Sequence, residues 1–292
     1  MRYEIFFVSF NAMTSPQVAF EHYFEKRPLY RTGHGTALYE NADTGVSFAF
    51  DCTADPVVPP GTLHPWARFM IELLRPSFFP EEATREIEPF IRHFEARVLE
   101  APGTPPVAYS PASFLRHWHD ASRREYQQAL ATAERQRLPL SRMPRRALMA
   151  AWQWNYHRRV LQTHEGDGLF VPRIWFLRTN DRMATSVIWP EAMAARVPQV
   201  DFVIFSRGAF AADSESLAAG RADVALIPWD EVQPAIHGSA VYDSLSVSWR
   251  VTDPAMLEAL ADRVARAPST PRLPDVVPLD TVLDDEGFPA PD

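Results

Sequence analysis

Thr36-Ala37-Leu38-Tyr39-Glu40-Asn41-Ala42-Asp43-Thr44-Gly45-Val46-Ser47-Phe48-Ala49-Phe50-Asp51 is the stretch whose reading decides the fold. Two short β-forming runs flank the loop Asn41 to Gly45, which is rich in turn formers, and this pattern predicts an antiparallel hairpin. In the second arm Val46, Phe48 and Phe50 alternate with Ser47, Ala49 and Asp51. That alternation gives one face to bury and one more polar face.

On the N-terminal side, Tyr3 to Phe10 is aromatic and β-branched and reads as a strand, and Ser15-Pro16 caps and opens a short helix through Val18, Phe20 and Tyr23. On the C-terminal side, Ala67 to Leu74 reads as a third strand, with a helix as the alternative. Pro80 and Glu81-Glu82 open a helix in which Ile87, Phe90, Ile91, Phe94 and Val98 recur at helical spacing. The Pro/Gly-rich segment Ala101 to Pro106 closes this region. Ser110-Pro111 then caps a long helix to about Ala133, and a second runs from near Pro144 to about Thr163 with Gly166 as its stop. A second hairpin follows (Leu169 to Leu177, then Met183 to Trp189), with strands near 200–205, 222–227 and 244–251. Short helices are expected near Glu191, Ser214 and Asp230, and a last one from Pro254 to about Ala267. Six prolines and the run Asp284-Asp285-Glu286 predict an extended, poorly ordered tail. The whole reads as an α+β fold with antiparallel, hairpin-containing sheets at both ends and a helical middle. Its regions are 1–100, 101–166, 167–267 and a Pro-rich acidic tail, 268–292.

A chain of 292 residues, 46% hydrophobic and 23% charged, has the composition of a globular protein able to bury its own core. Cys52 is the one cysteine, so no intrachain disulfide can form, and Lys26 is the one lysine among 29 basic residues. Lysine-dependent phosphate loops and Schiff bases are therefore excluded beyond residue 26. The net charge of -8 is unevenly spread: -5 over residues 1–100, +7 over 101–200 and -10 over 201–292. The N-terminus lacks the apolar run of a signal peptide and no window is long enough to span a membrane, so a cytoplasmic location is expected.

No catalytic or metal signature stands out. His117 and His119 flank Trp118 two positions apart on a helix, about 200° around the axis, so they cannot share a metal. Trp118 with Leu115, Ser122, Tyr126 and Ala129 makes a core-facing stripe that leaves both histidines at its margins. His164-Glu165-Gly166-Asp167-Gly168 gathers metal-ligand types, yet a helix stop and turn account for all five residues. Arginines 116, 123, 124, 135, 137, 142, 145, 146, 158 and 159 are interleaved with Trp118, Tyr126, Trp152, Trp154 and Tyr156, a composition seen in nucleic-acid surfaces. The spacing of Met149, Trp152, Tyr156 and Val160 favours packing instead, with Arg158 placed to stack on Trp154. Asp213, Glu215, Asp223, Asp230 and Glu231 lie in the most acidic third and are the candidate partner-binding residues, suited to steering a basic partner.

Tyr3-Glu4-Ile5-Phe6-Phe7-Val8-Ser9-Phe10-Asn11, Tyr39 to Phe48, Leu74-Arg75-Pro76-Ser77-Phe78-Phe79 and Val171-Pro172-Arg173-Ile174 together resemble a group of bacterial proteins associated with toxin and immunity loci. The resemblance implies a non-catalytic, cytoplasmic immunity-type protein that binds and neutralises a cognate protein toxin. The residues themselves point to no cofactor, metal or membrane, and their spacing and net charge favour packing over nucleic-acid binding. The alternative is an enzyme or nucleic-acid-processing accessory whose site lies on the Arg/His-rich helices.

Overall fold

The computed structural model describes residues 1–9, 15–53, 64–101, 103–133, 141–179, 182–190, 193–206, 224–242, 247–268, 270 and 274–288. The fold is α+β, and the chain divides into two units: residues 1–141 with 280–292, and residues 142–279.

The first unit is built on an antiparallel sheet of β1 (Arg2–Val8), β2 (Tyr30–Gly33), β3 (Thr36–Glu40), β4 (Ser47–Cys52), β5 (Ala67–Glu72) and β6 (Arg97–Leu99), in the order β2-β3-β4-β5-β1-β6. The hairpin read from the sequence is β3–β4, with Tyr39 opposite Phe48 and Ala37 opposite Phe50. The stretch from Ala67 is a strand, paired with β1 on one side and β4 on the other. One face of the sheet carries Ile5, Phe7, Ala37, Tyr39, Phe48, Phe50, Phe69 and Ile71, all buried. Over it lie α1 (Pro16–Glu25) and α2 (Phe78–Phe94). Phe90 of α2 is the hub of this core, its ring centroid 4.9 Å from Phe7, 4.8 Å from Phe50 and 4.8 Å from Phe94. Val98, read from its spacing as helical, belongs to β6, because Glu95 turns into the left-handed conformation at φ 48° and ends α2.

The third helix, α3 (Pro111–Ala133), has the predicted limits. Phe114, Trp118, Ser122 and Tyr126 form its buried stripe, one residue per turn and a little more. Trp118 Nε1 donates to the Glu72 carbonyl at 3.2 Å, and Ser122 Oγ accepts from Leu74 N at 2.9 Å. Across residues 274–288 the structure differs from the extended acidic tail expected beyond residue 267. Val282–Asp284 is a strand, Leu283 and Phe288 are buried against Tyr126, and Arg75 Nη1 donates to the Asp280 carbonyl at 3.3 Å. Apolar side chains between the charges outweigh composition here. Asp284 itself is buried and its Oδ1 accepts from Gly287 N at 2.8 Å; a Cβ on Gly287 would lie 2.7 Å from that oxygen.

With β7 (Ser141–Met143) at the division, the second unit contains β8 (Ile174–Arg178), β9 (Met183–Trp189), β10 (Ala195–Pro198), β11 (Phe202–Ser206), β12 (Val224–Pro228), β13 (Ala240–Tyr242), β14 (Val247–Val251) and β15 (Asp275–Val277). Two sheets result, β12-β11-β9-β8-β15 and β10-β14-β13. Pairing is antiparallel except between β9 and β11. Among the described residues the helices are α4 (Arg145–Glu165), α5 (Trp229–Ile236) and α6 (Pro254–Arg266). Gly166 stops α4 as expected, at φ 75°. The burial of α4 differs from its predicted stripe: Val160 is exposed, whereas Leu148, Ala151, Trp154, Asn155 and Leu161 join Trp152 inside. The cause is the segment before β8. Asn155 Oδ1 and Nδ2 bond Ile174 N and O, Trp154 Nε1 donates to the Pro172 carbonyl, and Arg158 Nη1 donates to the Val171 carbonyl at 3.1 Å.

Candidate functional site

In the first unit, the start of α3 faces the ends of β1 and β6 across a small cleft of about 30 Å³. The isolated pairing of Val98 with Val107, through two backbone bonds of 3.0 and 2.8 Å, turns the chain so that Tyr109 and Ser110 run along the cleft into α3. Ser110 Oγ accepts from Ser113 N at 3.4 Å, weakly capping the helix. Ser113 and His117 are four apart and therefore share the face that lines the cleft. His117 Nδ1 lies 3.0 Å from Glu100 Oε1, with their side chains 34% and 55% exposed. The opposite wall is Tyr3 and Ile5 of β1.

Burial, then the charge of Glu100, pushes the Tyr3 hydroxyl up to about 12. The Tyr109 hydroxyl is pushed up as well, by burial first and then by Glu88 and Tyr3, and no protein group bonds it. Both phenols therefore stay neutral at physiological pH. The arrangement is a carboxylate held by an imidazole beside three aromatic rings, Tyr3, Tyr109 and Phe114. Ser113 Oγ accepts from Arg116 Nη2 at 3.3 Å.

A second polar cluster lies inside the same unit. Glu82 of α2 is fully buried and its Oε1 accepts from Tyr39 Oη at 2.7 Å, Asn41 Nδ2 at 2.8 Å and Thr44 Oγ1 at 3.1 Å. One turn on, Glu86 Oε2 accepts from Arg27 Nη1 and Tyr30 Oη, both at 3.1 Å. Burial raises the Glu86 carboxyl above its ordinary value, opposed by the bonds from Tyr30 and Arg27. Their partners come from the β3–β4 loop, β2, β3 and the end of α1, so the two carboxylates fasten the hairpin to α2.

Of the five acidic residues read as partner-binding, Asp213, Glu215 and Asp223 lie outside the described residues, as do the expected helices near Glu191 and Ser214. Asp230 and Glu231 stand exposed in the first turn of α5, and Glu231 Oε2 is 2.7 Å from Arg263 Nη2. At the turn of residues 164–168, Glu165 Oε1 pairs with Arg196 Nη1 and its Oε2 with Arg250 Nε, each at 2.9 Å. His117 was legible as a marginal position on α3. Glu100 and Tyr109 as its neighbours were not, because nothing in their spacing reveals that Val98 pairs with Val107.

No family model, curated protein or solved structure matches the chain.

Proposed function

We propose that the protein is a non-catalytic, immunity-type protein that binds a basic partner, a cognate toxin, and blocks it. The observation that carries this reading is the exposed acidic turn of α5, set in the chain's most acidic third. Asp230 and Glu231 follow the buried Trp229, whose ring packs 4.8 Å from Trp249 of β14. Trp249 lies opposite Ala240 of β13, the end strand of its sheet, where Tyr242 is 78% exposed. An exposed aromatic and an exposed acidic turn in one unit suit a protein interface, in which rings anchor and charge steers. No helix among the described residues is long and apolar enough to cross a membrane. The test is co-expression with the product of the adjacent gene, followed by purification at low and moderate salt. A stable complex that protects cells from that product is expected; recovery of the chain alone at both salt concentrations counts decisively against the reading.

One observation favours the second reading, an enzyme or nucleic-acid accessory on the Arg/His helices: the pairing of His117 with Glu100 in a cleft. Nucleic acid draws less support, since Arg116, Arg123 and Arg158 are engaged by Ser113, Asp120 and the Val171 carbonyl. Steeply salt-dependent affinity for DNA or RNA would reverse that ordering.

A further inference from the structure

The passage from α2 into β6 carries arginines that the fold leaves without ion pairs. Glu95 turns the chain out of α2 at φ 48°, and Ala96 N donates back to the Ile91 carbonyl at 3.0 Å, so β6 begins beside the last turn of the helix. Arg92 of that turn and Arg97 of β6 line one open depression of about 360 Å³, together with Ile91, Ala96, Ala108, Tyr109 and a single acid, Glu88. The pairing of Val98 with Val107 is what brings Ala108 and Tyr109 to it. Both arginines are exposed, and no acid among the described residues lies within ion-pair distance of either guanidinium. We propose that this depression binds a phosphate monoester, its oxygens held by Arg92 and Arg97.

Charge selects the ligand class. One guanidinium fork satisfies a carboxylate, whereas a phosphate monoester carries close to two negative charges and three acceptor oxygens, enough to engage both arginines. At about 360 Å³ the depression falls within the range of small-ligand sites, with room for the phosphate and for the start of whatever bears it. Two features oppose an anion. Glu88 stands one turn before Arg92 on the same helix face, and the C-terminus of α2 carries the equivalent of roughly half a negative charge, screened and short in range. The full charges of Arg92 and Arg97 exceed these two together, and Glu88 becomes the residue that limits affinity. The phosphate could arrive on a small ester or on a phosphorylated side chain of another protein, and the chemistry is the same. This inference does not depend on the toxin reading and uses neither the acidic turn of α5 nor His117.

The test is a titration of the full chain with inorganic phosphate at about pH 8, where the phosphate is a dianion, with sodium chloride holding the ionic strength constant and the backbone amide resonances as readout. Saturable shifts at Arg92, Ala96, Arg97 and Ala108 are expected. Arg92→Gln and Arg97→Gln, both changes of exposed side chains without ion pairs, should each weaken binding about tenfold. Glu88→Gln should tighten it about threefold by removing the opposing charge. Arg123→Gln, an exposed arginine on α3, should leave it unchanged, and acetate should bind about tenfold more weakly than phosphate. Glycerol phosphate and a blocked phosphoserine, titrated in the same way, identify the source by which binds more tightly, and either order supports the site. No saturable shift, equal binding of acetate, unchanged affinity in Arg92→Gln and Arg97→Gln, or equal weakening by Arg123→Gln overturns it.

Discussion

Glu82 shows what a single buried residue holds in place. Its Oε1 collects three hydrogen bonds from Tyr39, Asn41 and Thr44, so replacing it by leucine leaves three donors without an acceptor. At on the order of 1 kcal/mol or more per orphaned donor, Glu82→Leu should lower stability by at least about 3 kcal/mol, whereas Glu82→Gln keeps an acceptor and should cost less. Urea titration of both variants checks this, and equal midpoints for the two would refute it. Glu86 gives a pH dependence of definite sign. Its carboxyl titrates above the ordinary 4.5 in the folded chain, so the folded state holds the proton more tightly than the unfolded state. Stability then falls as pH rises from 4.5 through the raised value, and Glu86→Gln should flatten that slope in unfolding measured between about pH 4 and pH 7. Tyr109 is the converse case: its hydroxyl is buried without a bond, so Tyr109→Phe should leave the melting temperature unchanged or raise it.

At the scale of elements, α2 and the segment after residue 279 carry the first unit. Phe90 meets rings from β1, β4 and α2 itself, and its truncation to alanine should cost about 3–5 kcal/mol, the usual range for a buried phenylalanine. The returning segment makes a sharper prediction. Phe288 is 1% exposed and its ring lies 5.2 Å from Tyr126 of α3, so Phe288→Ala should destabilise the first unit by about 3 kcal/mol or more. A loss under about 0.5 kcal/mol in denaturant unfolding, the range of ordinary surface changes, would mean that this segment does not hold α3. The motifs behind the resemblance have structural roles of the same kind. Leu74 to Phe79 joins β5 to α2 and is bonded by Ser122, while Val171 to Ile174 is gripped by Trp154, Asn155 and Arg158.

For the whole molecule, charge is the property most open to test. Asp230 is exposed, so Asp230→Arg should slow association with a basic partner and reduce its salt dependence while leaving the fold intact. Stopped-flow association rates at two ionic strengths read this directly. Glu231→Gln should do less to the rate, because Arg263 already neutralises that carboxylate.

Local pattern was enough for the hairpin at 36–51, the limits of α3, the stop at Gly166 and the α+β class, whereas at Ala67 it left strand and helix both open. Each of these depends on alternation, helical spacing or a turn residue, which neighbouring positions express by themselves. Tertiary contact decided the rest. The acidic segment 280–288 packs as it does because Leu283 and Phe288 find Tyr126, more than 150 positions earlier in the chain. Glu165 is held in two ion pairs because β10 and β14 bring Arg196 and Arg250 to it. Likewise, the cleft exists because Val98 pairs with Val107 and sets Glu100 beside His117. Composition could name these residue types, but which ones meet depends on packing between segments remote in sequence, and no local periodicity encodes it.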